Sequence, residues 1–192
     1  MTTFHWVRHG PTHEKTFVGW RDVPADLSDT ARIARLHAHL PSTAVLVSSD
    51  LCRASATADA VAMGRARLPD DPHLREFDFG DWDGRHFSDV AQSHPDLSRA
   101  YWETPGDIAP PNGESWNAAA ARVNARVDAL CAAHPGQQII AVAHIGVILT
   151  QVQRALGQPA SDIIAHKIDN LSVTSLTRSE TGWQLGRINH LP

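Results

Sequence analysis

The sequence predicts an α/β fold in three layers, with a mostly parallel central sheet covered by helices on both faces. Three short runs rich in β-forming or buried apolar residues, at 3–8, 44–47 and 138–143, predict strands. Segments with apolar residues at helical spacing alternate with these runs. Such alternation is typical of sheets whose parallel strands are connected through helices.

The element boundaries follow from capping residues, helix breakers and apolar spacing. Ser28 is expected to cap the first helix, and Pro41 ends it. The other predicted elements are helices from Ser49 and Asp50 to Gly64, from Ser115 to His134 and from His144 to Gly157, and a closing hairpin of residues 171–177 and 183–188.

Residues 65–113 differ from the rest of the chain. They hold six of the twelve prolines and the only tyrosine, and short helices are expected near 87–93 and 95–103. We interpret this stretch as a small helical, cap-like insertion over the main sheet. A length of 192 residues suits one domain, 1–192, that contains the insertion.

The composition limits the possible partners. With 20% charged residues and a net charge of −4, the chain lacks the basic surface that general nucleic-acid binding needs. Its two cysteines, Cys52 and Cys131, make neither a disulfide framework nor a zinc spacing. No signal peptide or membrane span is apparent, so a cytoplasmic location is expected. The oligomeric state is left open, with a homodimer as one option.

Three histidines, His5, His9 and His13, recur every four residues, which on a helix would make a metal-binding stripe. Gly10 and Pro11 disfavour a helix here. On a strand, His5 and His9 would be about 13 Å apart, too far for one zinc ion. No metal site is therefore expected, and His5 and His13 are interpreted as ordinary histidines.

His9 stands apart because it follows Arg8 at the end of a predicted strand. Gly10, directly after it, permits a close backbone approach or an unusual turn. An imidazole fixed beside a guanidinium is a candidate nucleophile toward a phosphoryl group. His144 also follows a predicted strand. Because ligands bind beyond the carboxyl ends of the strands in such sheets, these residues are expected to converge.

Four motifs occur in order along nearly the whole chain. They are RHG at 8–10, SDLCRASATA at 49–58, LREFDFGDWDG at 74–84 and VAHIG at 142–146. Together they resemble the signatures of the histidine phosphatase superfamily, also called phosphoglycerate mutase-like. The run PPNGES at 110–115, before a long helix, makes the layout similar to the branch with α-ribazole phosphatases and broad-specificity phosphatases.

The resemblance implies a phosphatase that needs no metal or other cofactor and acts on a small phosphorylated substrate. His9 would be the nucleophile that forms a phosphohistidine. Arg8, Arg53 and His144 would bind the phosphoryl oxygens, a task that suits planar, permanently charged guanidinium groups. Glu76 would be the general acid that protonates the leaving group.

The expected acid has several carboxyl neighbours. The pKa of Glu76 is expected to be raised by burial against Phe77 and Phe79 and by repulsion from nearby carboxylates. Those carboxylates, which are also rival candidates for the acid, are Asp78, Asp81 and Asp83.

Thr12, Lys15 and Ile145 complete the expected phosphate or substrate contacts. Lys15 stands where many members of the superfamily have an asparagine, so its phosphate contact is left open. Ile145 stands where a glycine is common and where the phytase-like branch has an aspartate. These departures predict an individual substrate pocket.

Two other activities remain open on the sequence. A cofactor-dependent phosphoglycerate mutase and a non-catalytic protein that binds phosphorylated ligands are the alternatives to a phosphatase. Glu114 and Ser115 either reach the substrate or cap a helix. The aromatic residues that either line an apolar pocket or pack in the core are Phe17, Trp20, Trp82 and Trp102.

Overall fold

In the computed structural model, which describes residues 1–192, six strands form one sheet. They are β1 (Thr2–Arg8), β2 (Val45–Ser48), β3 (Ala66–Arg67), β4 (Gln138–Ala143), β5 (Val173–Ser179) and β6 (Gly182–Leu185). The seven α-helices are α1 (Thr30–His39), α2 (Cys52–Ala62), α3 (Phe87–Ser93), α4 (Pro95–Glu103), α5 (Trp116–Ala133), α6 (Ile145–Leu156) and α7 (Ala160–Ile163). Two short 3₁₀ turns, Pro72–Leu74 and Gly80–Trp82, lie between β3 and α3.

The sheet order is β3-β2-β4-β1-β5-β6. β3, β2, β4 and β1 pair in parallel, whereas β5 pairs antiparallel with β1 and with β6. The prediction of a mostly parallel sheet closed by a hairpin is therefore confirmed. The parallel arrangement brings the carboxyl ends of β1, β2 and β4 to one edge of the sheet.

Helices cover both faces of the sheet, which gives the predicted three layers. Phe4 and Trp6 of β1 pack into a core cluster with α5 and α6, while Val7 packs into a second cluster with α1 and α2. The alternation follows from the two-residue period of a strand. Both faces are covered, so Ile139 to Ala143 form an uninterrupted buried apolar run.

Several predicted boundaries are wrong by a few residues. The side chain of Asp29, not Ser28, caps α1, by accepting the N–H of Arg32. The second helix begins at Cys52, after Leu51, rather than at Ser49 and Asp50. Ser49, which was expected to begin that helix, instead donates its backbone N–H to the carbonyl oxygen of Val142 in β4. This hydrogen bond keeps Ser49 at the carboxyl end of the sheet.

The segment expected as an insertion also includes part of the sheet. Ala66 and Arg67, inside the predicted range 65–113, pair with Val45 and Leu46 as the edge strand β3. The chain leaves the sheet only after Arg67, and there α3 and α4 pack on a small cluster around Trp82. No helix is long and apolar enough to cross a membrane.

Candidate active site

Residues from three strand ends surround one cavity. Arg8 ends β1 and His9 follows it, while Arg53 lies in the first turn of α2, after β2. All three line a cavity of about 280 Å³, and Glu76 and Ile145 line it from the other side. The predicted convergence at the carboxyl edge of the sheet is therefore found for residues far apart in the chain.

His9 is held with one ring nitrogen bound and the other without a protein partner. Its Nδ1 lies 2.7 Å from the carbonyl oxygen of Gly10, and because a carbonyl only accepts, Nδ1 carries the proton. Burial, reinforced by Arg53, lowers the pKa of His9 to about 3. The ring is therefore neutral near pH 7, and Nε2 keeps its lone pair.

Of the two roles expected for Gly10, the structure shows a close approach to neighbouring residues and not an unusual turn. A Cβ atom at this position would lie 2.6 Å from Cδ2 of Leu27. The N–H of Gly10 donates to the hydroxyl of Thr57 at 3.0 Å. A side chain at position 10 would press on Leu27 and on the backbone of Asp26, so only glycine fits without a shift of this neighbouring segment.

The two arginines of the cavity have no carboxylate partner within salt-bridge distance. Arg53 is only 1% exposed, and it donates to the carbonyl oxygens of Gly19 at 2.6 Å and Arg21 at 3.0 Å. Arg8 donates to the carbonyl of Ile168, and its Nε has no partner. Burial lowers the pKa of both guanidinium groups, which stay charged near pH 7. A buried and a half-buried cation with spare N–H groups make a site for an anion.

His144 lies beneath the cavity and does not line it. Its ring is fully buried, with the centroid 5.1 Å from that of His9. Nε2 is 2.9 Å from the hydroxyl of Ser49, and Nδ1 has no partner. Burial, followed by the charge of Arg53, lowers the pKa of His144. The predicted nearness to His9 is found, and Nδ1 is the ring atom left for an additional ligand.

The carboxyl group of Glu76 faces the same cavity from the segment after the first 3₁₀ turn. One oxygen accepts the N–H of Phe77 at 3.0 Å, and the other accepts the N–H of Gly146 at 3.3 Å. Burial raises the pKa of Glu76, and these two N–H groups together with Arg53 oppose that rise. The expected direction of the shift is therefore found, with burial as its cause.

The prediction that the neighbouring aspartates raise the pKa of Glu76 is wrong. Asp78 accepts the backbone N–H of Gly80, Asp83 accepts that of Gly19, and Asp81 accepts a side-chain amide. No repulsion from these groups raises the pKa of Glu76. None of the three lines the cavity, whereas Glu14 does. Glu14 is exposed, and its hydrogen bond with Arg21 lowers its pKa, so Glu76 is the carboxyl group better suited to donate a proton there.

The segment that carries Glu76 is held by Arg122 of α5, which pairs with Glu114 just before that helix. Glu114 and Arg122 form two hydrogen bonds of 2.8 and 2.7 Å. Arg122 also donates to the carbonyl oxygens of His73, Arg75 and Glu76, at 2.8, 3.0 and 3.3 Å. Glu114 thus lies in a structural contact, and it does not line the cavity. Ser115 caps α5 by accepting the N–H of Ala118.

The remaining predicted contacts divide between the cavity and its surroundings. Thr12 lines the cavity, whereas Lys15 is exposed and does not line it, which corrects its expected place at the phosphate. Of the four aromatic candidates, Phe17 and Trp102 line the cavity. Trp82 is fully buried in the cluster under α3 and α4, and Trp20 donates to the backbone carbonyl of Glu76 outside the cavity.

Three contributors were not identified from the sequence. Gly146 must lack a side chain, since a Cβ there would lie 2.4 Å from the carboxyl of Glu76. Asn170 donates to the backbone carbonyl of His9 at 2.8 Å. Gly146 lies inside a quoted motif and could have been found there, but no local signal distinguishes Asn170 or Arg122.

The histidine stripe does not form. His5 lies on β1 and bonds to Gln138, and His13 is exposed and bonds to Asp26 at 2.8 Å. No group of three or more His, Cys, Asp or Glu side chains is placed to hold a metal ion.

Known proteins resemble this chain both in sequence and in fold. The family model described as the histidine phosphatase superfamily (branch 1) matches residues 4–191. The adenosylcobalamin/α-ribazole phosphatase of Escherichia coli is 30% identical over 170 residues, which is 85% of this chain and 83% of that protein.

Two solved structures cover almost the whole fold. YhfR from Bacillus stearothermophilus superposes with a TM-score of 0.91 at 25% identity, covering 100% of this chain and 98% of the other. A mycobacterial glucosyl-3-phosphoglycerate phosphatase superposes with a TM-score of 0.86 at 26% identity, covering 99% of both chains.

Proposed function

This chain belongs to branch 1 of the histidine phosphatase superfamily, and we propose that it hydrolyses small phosphomonoesters through a phosphohistidine on His9, with Glu76 as the general acid and without a metal. The observation that carries the proposal is the state of His9. Its Nδ1–H is bound to a backbone carbonyl, and its neutral Nε2 is unbound beside two unpaired arginines.

In the first proposed step, Nε2 of His9 attacks phosphorus. The N–P bond forms as the P–O ester bond breaks, and Arg8 and Arg53 stabilise charge on the non-bridging oxygens. The leaving alkoxide takes the proton of Glu76 and departs as an alcohol. The raised pKa of Glu76 supports this role because it keeps a larger fraction of the carboxyl protonated.

In the second step, water attacks the phosphorus of the phosphohistidine. The Glu76 carboxylate takes a proton from that water, the N–P bond breaks, and inorganic phosphate is released. His9 regains its neutral state with the proton still on Nδ1, so both groups are ready for another turnover. His144 lies next to His9 but does not line the cavity, so its expected phosphoryl contact requires the buried, unpartnered Nδ1 to become accessible when the substrate binds.

The cavity supports a phosphatase over a mutase. A phosphoglycerate mutase must hold a substrate with a second anionic group, and cations suit that task. Apart from Arg8 and Arg53, no arginine or lysine lines the cavity, and Lys15 lies outside it. The buried acid supports an enzyme over a non-catalytic binder, because simple binding of phosphate needs no proton donor.

The α-ribazole phosphatase relative suggests a second, finer candidate. α-Ribazole phosphate carries an aromatic base, and aromatic side chains of this chain, including Phe17 and Trp102, line the cavity. We propose α-ribazole phosphate as the first natural compound to assay beside generic phosphomonoesters.

The test is to trap the intermediate. Wild-type protein, treated with EDTA, is mixed with a ³²P-labelled phosphomonoester and quenched in alkali. We expect an acid-labile, alkali-stable label that is absent from His9→Ala, and turnover that persists in EDTA. His13→Asn, which changes an exposed histidine outside the cavity, serves as the matched control and should keep the label.

Three outcomes would contradict the proposal. Label retained in a folded His9→Ala protein would assign the nucleophile elsewhere. Binding of phosphate without release of alcohol in the wild type would favour the non-catalytic alternative. Transfer of the label to added 3-phosphoglycerate, in preference to water, would favour the mutase.

A further inference from the structure

A second cavity continues from the first on the far side of Glu76. The two cavities share Glu76, Phe79, Trp102 and Ile145, so the carboxyl group of the proposed acid lies at their junction. Beyond that junction the character of the wall changes from cationic to apolar.

The second cavity is built from aromatic and aliphatic side chains. Phe77, Trp116, Leu149 and Ile164 line it, and no arginine, lysine, histidine or aspartate does. The indole N–H of Trp116, a polar group of this wall, is bound to Gln153 at 2.6 Å. Apart from Glu76, the wall therefore offers few polar partners to an occupant. A hydroxyl-rich or charged group placed here would lose its hydration without replacement.

We propose that this apolar cavity receives the alcohol part of the substrate, so that the enzyme prefers phosphomonoesters of aromatic or compact apolar alcohols to those of hydroxyl-rich alcohols. The inference rests on the proposed function, because it places the bridging oxygen at the proton donor. With phosphorus between His9 and Arg53, and with the bridging oxygen at Glu76, the carbon attached to that oxygen lies at the mouth of the apolar cavity.

Two esters separate this inference from the chemistry of the reaction. 2-Phenylethyl phosphate and glycerol 3-phosphate both release a primary alcohol, so the demand for a proton is similar. Burial of the phenyl group favours the first ester, and we expect its kcat/KM to be about 10- to 100-fold higher. The measurement is initial rate against concentration for each ester.

A polar residue in the apolar wall should erase the preference. Ile164 is half-buried and lines only the second cavity. Ile164→Asn should lower kcat/KM for 2-phenylethyl phosphate about tenfold and change that for glycerol 3-phosphate by less than about twofold. The control is Leu156→Asn, the same kind of change at an exposed position outside both cavities, which should leave both values unchanged.

Trp102→Ala is a second test of the apolar wall if Ile164→Asn folds poorly. Because Trp102 is 40% exposed, its replacement should disturb folding less. It should reduce the preference for the phenyl ester in the same direction. Equal kcat/KM values for the two esters in the wild type would overturn the inference and leave the proposed function standing. If neither ester is hydrolysed, while the label test also fails, the proposed function falls instead.

Discussion

The two halves of the site are held in different ways. Arg8, His9, Arg53 and His144 each lie in, or within one residue of, a strand or helix. Glu76 lies on the segment between the two 3₁₀ turns. Its carboxyl group accepts a hydrogen bond from the N–H of Gly146, and its backbone carbonyl accepts one from the Arg122 side chain. We call the first set the sheet half and the segment around Glu76 the loop half.

In the proposed mechanism, each half serves one part of the reaction. The sheet half would bind the phosphoryl group, which is the same in every phosphomonoester. The loop half would contact the leaving oxygen and the alcohol, which differ from one substrate to another. A sheet that is packed on both faces fixes the first half rigidly, while a loop can change without disturbing that core.

Two substrates can test whether the two halves have these different roles. An alkyl phosphate needs a proton on its leaving oxygen, whereas p-nitrophenyl phosphate releases a stabilised phenolate that departs without one. Changes in the sheet half should affect both substrates equally. Changes in the loop half should affect the alkyl ester far more.

The largest effect is expected from Arg53→Leu. It removes a guanidinium group from the transition state, and kcat/KM should fall about 1,000-fold for both esters. Steady-state kinetics with the two esters measure this. Because the change also frees the carbonyls of Gly19 and Arg21, thermal unfolding must show that the variant is folded. Arg53→Lys keeps the charge without the planar fork and should lose about 100-fold. A loss confined to the alkyl ester would contradict the division.

Glu76→Gln should have a smaller and substrate-dependent effect. The amide keeps the shape of the side chain but cannot supply the proton. We expect kcat/KM for 2-phenylethyl phosphate to fall about 100-fold and that for p-nitrophenyl phosphate to fall less than about fivefold. Comparable losses on both esters would remove Glu76 from the acid role.

The pH dependence follows from the same carboxyl group. The protonated form is the active one, so activity on the alkyl ester falls as pH rises through the pKa of Glu76, which burial raises above the ordinary carboxyl value. Above that pKa the loss is about tenfold per pH unit. The pKa of His9, lowered to about 3, puts any loss from its protonation at much lower pH.

The control for this profile is Glu76→Gln. The second ionisation of the substrate, near pH 6, affects both proteins alike. The ratio of wild-type to variant kcat/KM should therefore decline with rising pH. A ratio that is constant from pH 5 to pH 9 would mean that another group donates the proton.

The sheet half could be predicted from the sequence for a physical reason. A buried parallel strand such as β4 has a continuous apolar run, and its carboxyl end is marked by the first polar residue after it, His144. The end of β1 at Arg8 is marked instead by Gly10 and Pro11, which follow its β-forming residues. Strand order itself was not needed, because every parallel strand ends at the same edge.

The loop half could be predicted only in part. The motif resemblance pointed to Glu76, and the rise in its pKa was expected, but its carboxylate neighbours were wrongly given a share of that rise. Lys15 was a candidate whose phosphate contact the sequence left open, and its exposed side chain lies outside the cavity. The partners of a loop come from distant positions, such as Arg122 on α5, and no local periodicity encodes them.

Arg122→Leu should give the smallest effect, and it tests how the loop half is positioned. The change removes the hydrogen bonds from Arg122 to three carbonyls around Glu76 and leaves Glu114 without its cationic partner, so the acid is held less firmly in place. We expect kcat/KM to fall about 5- to 10-fold for 2-phenylethyl phosphate and less than about twofold for p-nitrophenyl phosphate. Arg154→Leu, which breaks the pair with Asp128 between α6 and α5 away from the cavity, should show no dependence on the ester. Equal losses on both esters in Arg122→Leu would reduce Arg122 to a purely structural residue, whereas a selective loss means that the ion pair between Arg122 of α5 and Glu114 sets the position of the proton donor.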